Sequence, residues 1–193
     1  MHRLISFFQP DSTTQRRRIF VVHGIGGIGK TQLCAEFARQ TREQFTATFW
    51  LDGSSKDALL RAMAQAARRI PGRQIPQTTE GAHVETAQLA EQFLQWLSLP
   101  ANTQWLLVID NVDREWQSTV EDPQAYDYRK HLPQADHGSV LITTRLARLK
   151  QPKASLHLQS VDDGSAREMI ETRAGATVPG MFLLSNTTIQ GRQ

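Results

Sequence analysis

Residues 24–31 read Gly24-Ile25-Gly26-Gly27-Ile28-Gly29-Lys30-Thr31, which fits the pattern glycine, four residues, then Gly-Lys-Thr. An apolar run, Ile19-Phe20-Val21-Val22, precedes them, and a stretch with helical periodicity, Lys30 to Gln44, follows. Few folds accept this arrangement, because a buried strand must turn sharply into the N-terminus of a helix. The residue types say what such a turn can hold. Glycines without Cβ let successive N–H groups point inward, and the positive end of the helix adds to them, so phosphate oxygens bind there. Lys30 supplies a mobile ammonium for β- and γ-phosphates, and Thr31 supplies a hydroxyl for Mg²⁺. Gly24, Gly26, Gly27, Ile28, Gly29, Lys30, Thr31 and Gln32 are therefore the candidate nucleotide-binding residues. A glycine-rich turn that merely precedes Lys-Thr is the alternative, and the strand and helix flanks argue against it.

A second stretch, Trp105-Leu106-Leu107-Val108-Ile109-Asp110-Asn111-Val112-Asp113, delivers a carboxylate to the end of an apolar strand. Ligands of open α/β sheets bind at that end. Asp110 is the expected indirect or water-mediated partner of Mg²⁺, and Asn111 and Asp113 join it as candidates for catalysis. The competing reading is an Asp-Asn turn. A third stretch, Gly138-Ser139-Val140-Leu141-Ile142-Thr143-Thr144-Arg145, ends a strand in two hydroxyls and an arginine. Arg145 can reach a terminal phosphate and distinguish the triphosphate from the diphosphate. It can equally be a surface residue opening a helix over Leu146 to Lys150.

Between these stretches the pattern alternates. Strands are predicted at Ile19–His23, Ala47–Leu51, Trp105–Ile109, Val140–Thr143 and Leu156–Leu158. Helices are predicted from Lys30 to Gln44, from a cap at Asp52-Gly53-Ser54-Ser55 to about Ile70, over Glu85–Leu97, and from Asp162 or Asp163 to about Arg173. Residues 72–80 read as a loop. Residues 113–137 read as polar, with short helical potential. Such alternation predicts an α/β fold, a parallel sheet with helices on both faces.

Composition narrows the functional classes. The chain has 193 residues, enough for one domain with a core, and a net charge of only +3. No apolar run reaches membrane-spanning length, and the start, Met1 to Pro10, is too short and broken for a signal peptide. No membrane partner is expected, and a cytoplasmic location is the default. The one basic cluster, Arg16-Arg17-Arg18, lacks the interleaved aromatics that stack bases, so no nucleic acid partner is expected. Cys34 is the single cysteine and reads as a small buried hydrophobe. The histidines show no zinc-ligand spacing.

The three stretches together, in this order and spacing, resemble NB-ARC domains of the signal-transducing (STAND) P-loop NTPases. That group includes NOD-like receptors and plant resistance proteins; Phe49-Trp50-Leu51-Asp52 looks most like the fungal members. The resemblance covers about residues 17–174. It implies a P-loop NTPase three-layer sandwich with a mostly parallel five-stranded sheet of order 2-3-4-1-5. It also implies an ATP/ADP switch with Mg²⁺ that signals in innate immunity, contacts other signalling domains and self-associates in a nucleotide-dependent oligomer. Carried over by motif, Lys30 and Thr31 hold phosphate and Mg²⁺, Asp110 supports the metal, and Arg145 senses the γ-phosphate. Asn111 departs from the pattern, since an acid often stands there; an amide orients water but does not deprotonate it, which implies slow hydrolysis at most. Residues 1–16 read as an N-terminal arm and 175–193 as a poorly matching tail. Winged-helix and repeat regions are not found, so a truncated module is the expectation. An active ATPase or kinase and a degenerate scaffold are the competing classes.

Overall fold

The computed structural model describes residues 1–9, 16–70, 82–114, 125–151 and 154–159. The expected helix from Asp162 or Asp163 to Arg173, the loop at 72–80 and the tail 175–193 lie outside the described residues. Five strands form one sheet: β1 (Arg18–His23), β2 (Ala47–Asp52), β3 (Trp105–Asp110), β4 (Ser139–Thr144) and β5 (Ser155–His157). Their order is β2-β3-β4-β1-β5 and every pairing is parallel, as the resemblance implied. Four helices accompany them: α1 (His2–Phe8), α2 (Lys30–Gln40), α3 (Lys56–Ala67) and α4 (Ala82–Leu97).

Strand alternation sorts the side chains into two layers. Phe20 and Val22 of β1, Leu106 and Val108 of β3, and Leu141 of β4 face one way, against Leu4 and Phe8 of α1 and Cys34 and Phe37 of α2. Val21, Leu107, Ile109, Val140 and Ile142 face the other way, against Leu59 and Met63 of α3 and Leu89, Phe93 and Leu97 of α4. All six residues of β3 and of β4 are buried, which is why these central strands read as continuous apolar runs. The edge strand β2 is mostly half-buried.

Local chemistry sets the element ends. The Thr41 hydroxyl donates to the Phe37 carbonyl at 2.8 Å and its N–H donates to the same oxygen at 3.0 Å. Those two bonds close α2 at Gln40, so residues 41–44, expected as helix, form a turn instead. Ser55 caps α3, accepting from the Ala58 N–H at 3.2 Å, within the predicted capping stretch. α3 stops at Ala67, short of the expected Ile70. The polar region before β4 holds one 3₁₀ turn, Tyr128–His131, among its described residues, and a second, Ala147–Leu149, stands where a helix was expected after Arg145.

The arm expected over residues 1–16 holds α1, whose Leu4 and Phe8 are buried in the same layer as α2. Phe8 packs 5.3 Å from Phe37, and Phe7 packs 5.0 Å from Phe20, ring centroid to ring centroid. The arginine cluster behind it is partly tied down: guanidinium groups of Arg17 and Arg18 donate to the Pro133 and Gln9 carbonyls.

Candidate functional site

Because the strands run parallel, β1, β3 and β4 end at the same edge of the sheet. That edge collects the phosphate-loop glycines after β1, Asp110 at the end of β3, and Arg145 just after β4. The loop turns into α2 at Gly29, which takes φ +95° as the residue capping the helix. Only glycine occupies that region without strain. The Gly29 carbonyl then accepts from the Leu33 N–H at 2.9 Å, the first turn of the helix.

Lys30 is buried, and its ammonium donates to the carbonyls of Gly24 at 3.0 Å and Ile25 at 2.8 Å. The charge therefore sits inside the loop's own curve. Thr31 follows on the exposed side of the same turn. Its hydroxyl donates to Asp110, 3.0 Å from Oδ1 and 3.1 Å from Oδ2. The Thr143 hydroxyl donates to the same Oδ1 and accepts from the Asn111 N–H at 2.9 Å. Asp110 is thus buried and held by two hydroxyls, one from α2 and one from β4.

Beyond Asp110 the chain turns. Asn111 takes φ +65°, a conformation that asparagine tolerates better than most residues. The Val112 N–H donates to the Thr143 carbonyl at 2.9 Å, and the Thr144 hydroxyl donates to the Val112 carbonyl at 2.6 Å. Asp113 then meets Arg145: its Oδ1 accepts from the Arg145 N–H at 2.6 Å and its Oδ2 from Nε at 2.5 Å. Cys34, one turn along α2, is buried. Burial pushes its thiol well above the ordinary range, with the negative charge of Asp110 adding to the effect.

These residues enclose a cleft of about 580 Å³. Of the sequence candidates, Gly26, Gly27, Gly29, Lys30, Thr31, Gln32, Asn111, Asp113 and Arg145 line it. Gly24, Ile28 and Asp110 stand behind that lining. Gly24 is pressed against Leu158, Ile28 packs near Gly24, and Asp110 acts through Thr31. Sequence reasoning did not single out Ser54, Ser55 or Arg114, which also line the cleft. A signal for the serines was present: they follow a strand, at the edge where β1, β3 and β4 deliver their site residues. They read only as a helix cap. Thr143 was visible as one of the two hydroxyls ending β4, without a role.

The donor set fits a hard divalent cation. The Thr31 proton is committed to Asp110, so the lone pairs of its oxygen remain for a metal. Among the described residues, no group of three or more His, Cys, Asp or Glu side chains could hold a metal by itself. An ion here would therefore lean on phosphate oxygens and water, which suits Mg²⁺.

The fold recurs in known proteins. A chain in the structure of Drosophila ORC bound to DNA superposes with a TM-score of 0.52 at 14% identity, over 89% of this chain and 44% of that one. A likeness to a STAND protein with a tetratricopeptide repeat sensor from Pyrococcus horikoshii is looser, with a TM-score of 0.45 at 15% identity over 84% of this chain and 24% of that one. In sequence, a nucleotide-binding leucine-rich repeat (NLR)-like protein of Hyaloscypha variabilis is 22% identical over 180 residues. That match takes in 89% of this chain, which spans only 17% of the relative's length. The AAA ATPase domain matches residues 1–159, which include α1 and all five strands. The chain belongs to the AAA ATPase domain family, a family of phosphate-loop nucleotide-binding modules.

Proposed function

We propose that this protein is the ATP/ADP-binding regulatory module of a STAND-class signalling protein, of the NB-ARC kind found in NOD-like receptors. One observation carries the reading. The loop ammonium of Lys30, the Thr31–Asp110 pair and the guanidinium of Arg145 lie around a single cleft at the carboxyl edge of a parallel sheet. The similarity to an NLR-like fungal protein supports the signalling context. On this reading the module works in the cytoplasm, contacts further signalling domains and self-associates according to the bound nucleotide.

Each residue has a task in that scheme. The loop N–H groups and Lys30 grip the β- and γ-phosphates, with Lys30 turning from the Gly24 and Ile25 carbonyls toward phosphate oxygens. Thr31 would hold Mg²⁺, with Asp110 fixing the orientation of its hydroxyl. An ion held there would offset the charge of the phosphates. Arg145 reads the terminal phosphate. Asn111 lines the cleft where an attacking water would stand, but its amide is no base, so hydrolysis is slow or absent.

Equilibrium binding of labelled ADP and ATP with Mg²⁺ tests the reading. Lys30→Ala should weaken both nucleotides by about a hundredfold, because a charge-assisted contact to phosphate is lost. Binding equal to the parent would remove the loop from the site. Rapid phosphate release by the parent protein would favour an active ATPase over a switch.

A further inference from the structure

Asp113, a candidate for catalysis by its place in the sequence, meets Arg145 in the structure. Its carboxylate is largely shielded, with 15% of the side chain exposed, whereas the Arg145 side chain it meets is 62% exposed. Oδ1 takes the Arg145 main-chain N–H and Oδ2 takes Nε, so one carboxylate holds both ends of that side chain's root. The Thr144 hydroxyl lies 3.5 Å from Oδ1 on the same side.

The carboxylate is itself fixed. Asn111 at φ +65° turns the chain, the Asp113 N–H donates to the Asn111 carbonyl at 2.8 Å, and bonds from Val112 to Thr143 and Thr144 stitch the turn to β4. The β3 exit thus presents an acceptor to the β4 exit in a set position. Engaging Nε leaves the two terminal nitrogens of the guanidinium outside this pair. One of them lies beside the phosphate loop: a Cβ placed on Gly26 would lie 3.7 Å from Arg145 Cδ and 4.0 Å from Nη1. A lone exposed arginine spreads over many rotamers, and one pinned at its backbone and at Nε does not.

We propose that Asp113 is a positioning residue that sets the selectivity of the site for nucleoside triphosphate over diphosphate. It does so by aiming the terminal nitrogens of Arg145 across Gly26 at the position of the third phosphate. The proposal rests on the nucleotide-binding reading above. On this proposal both oxygens of Asp113 are engaged with Arg145.

The test is the ratio of ADP to ATP dissociation constants, with Mg²⁺, for the full chain and for Asp113→Ala, Arg145→Ala and the double variant. Asp113→Ala should weaken ATP by about tenfold and ADP by less than about twofold, because only the triphosphate reaches the arginine. The double variant should match Arg145→Ala alone. Asp113→Asn keeps an acceptor for the Arg145 N–H while losing the charge, so it should show the same directional change if the alanine variant does not fold. A merely structural role would lower both affinities together, or add its effect to that of Arg145→Ala, and either result overturns the proposal. A parent that binds with a ratio unchanged in Asp113→Ala and Asp113→Asn sinks this inference alone. A parent that binds neither nucleotide sinks the functional reading with it.

Discussion

The Thr31 hydroxyl, in the first turn of α2, lies 3.0 Å from the Asp110 carboxylate at the end of β3. The two residues stand 79 positions apart, and the sheet's parallel register is what brings them together. The hydroxyl gives its proton to Asp110, and the oxygen is left as an acceptor facing the cleft.

Replacing that carboxylate should uncouple metal from nucleotide. Asp110→Asn substitutes an amide that cannot accept from Thr31 and Thr143 as a carboxylate does. We expect Mg²⁺ to improve ATP affinity in the parent and to improve it about tenfold less in the variant. Titration of ATP with Mg²⁺ and with EDTA reads this directly. An equal Mg²⁺ effect in both proteins would take Asp110 out of the metal site.

Asn111→Asp should raise the rate of hydrolysis. The position lines the cleft, its positive φ is one aspartate also adopts, and the change supplies a base. Single-turnover phosphate release should rise by about tenfold or more. No increase would mean that water is not placed beside residue 111.

Stability should fall on mild acidification. His23 is held below its ordinary value of 6.5, first by burial, then by the neighbouring His157 and by Lys150. His131 is likewise lowered, by burial and then Lys56, with Lys130 adding and Asp127 opposing. A histidine depressed in the folded state binds more protons unfolded than folded between its two pKa values. Its stabilising effect is complete above the unfolded value of 6.5 and is lost as pH falls through that value toward the folded one. The melting temperature of the parent should therefore drop between about pH 7.5 and about pH 5.5, and His23→Gln should flatten the decline. Identical slopes would show that His23 does not contribute.

Truncating the N-terminal helix contact should cost as much as a change in the core. Leu4 is fully buried among Phe8, Phe20 and Phe37. Leu4→Ala should lower unfolding free energy by about 2–5 kcal/mol in denaturant titration. A change near zero would make α1 an ornament of the domain.

That last case shows where sequence reasoning stopped. Met1, Leu4, Ile5 and Phe8 sit at positions i, i+3, i+4 and i+7, a helical face in full view. Weighed only as a signal peptide, for which it is too short and broken, the stretch reads as part of an N-terminal arm. The central strands were plain by contrast, since β3 and β4 are buried on both sides and carry no alternation to misread. Strand order came from resemblance, because periodicity alone does not choose a neighbour. The loop, Asp110 and Arg145 were readable as motifs. The partnership of Asp113 with Arg145 was not, because it depends on how two strand exits meet, and Ser54 and Ser55 hid inside a helix cap.

Gly24 opens the phosphate loop with its backbone against that of Leu158, whose carbonyl would lie 2.4 Å from any Cβ placed there. Leu158 also donates its N–H to the His23 carbonyl at 2.8 Å. Mechanical load applied to the polypeptide at Leu158 therefore reaches the hinge of the loop through main chain alone. A tug there would bear on the first residue of the loop.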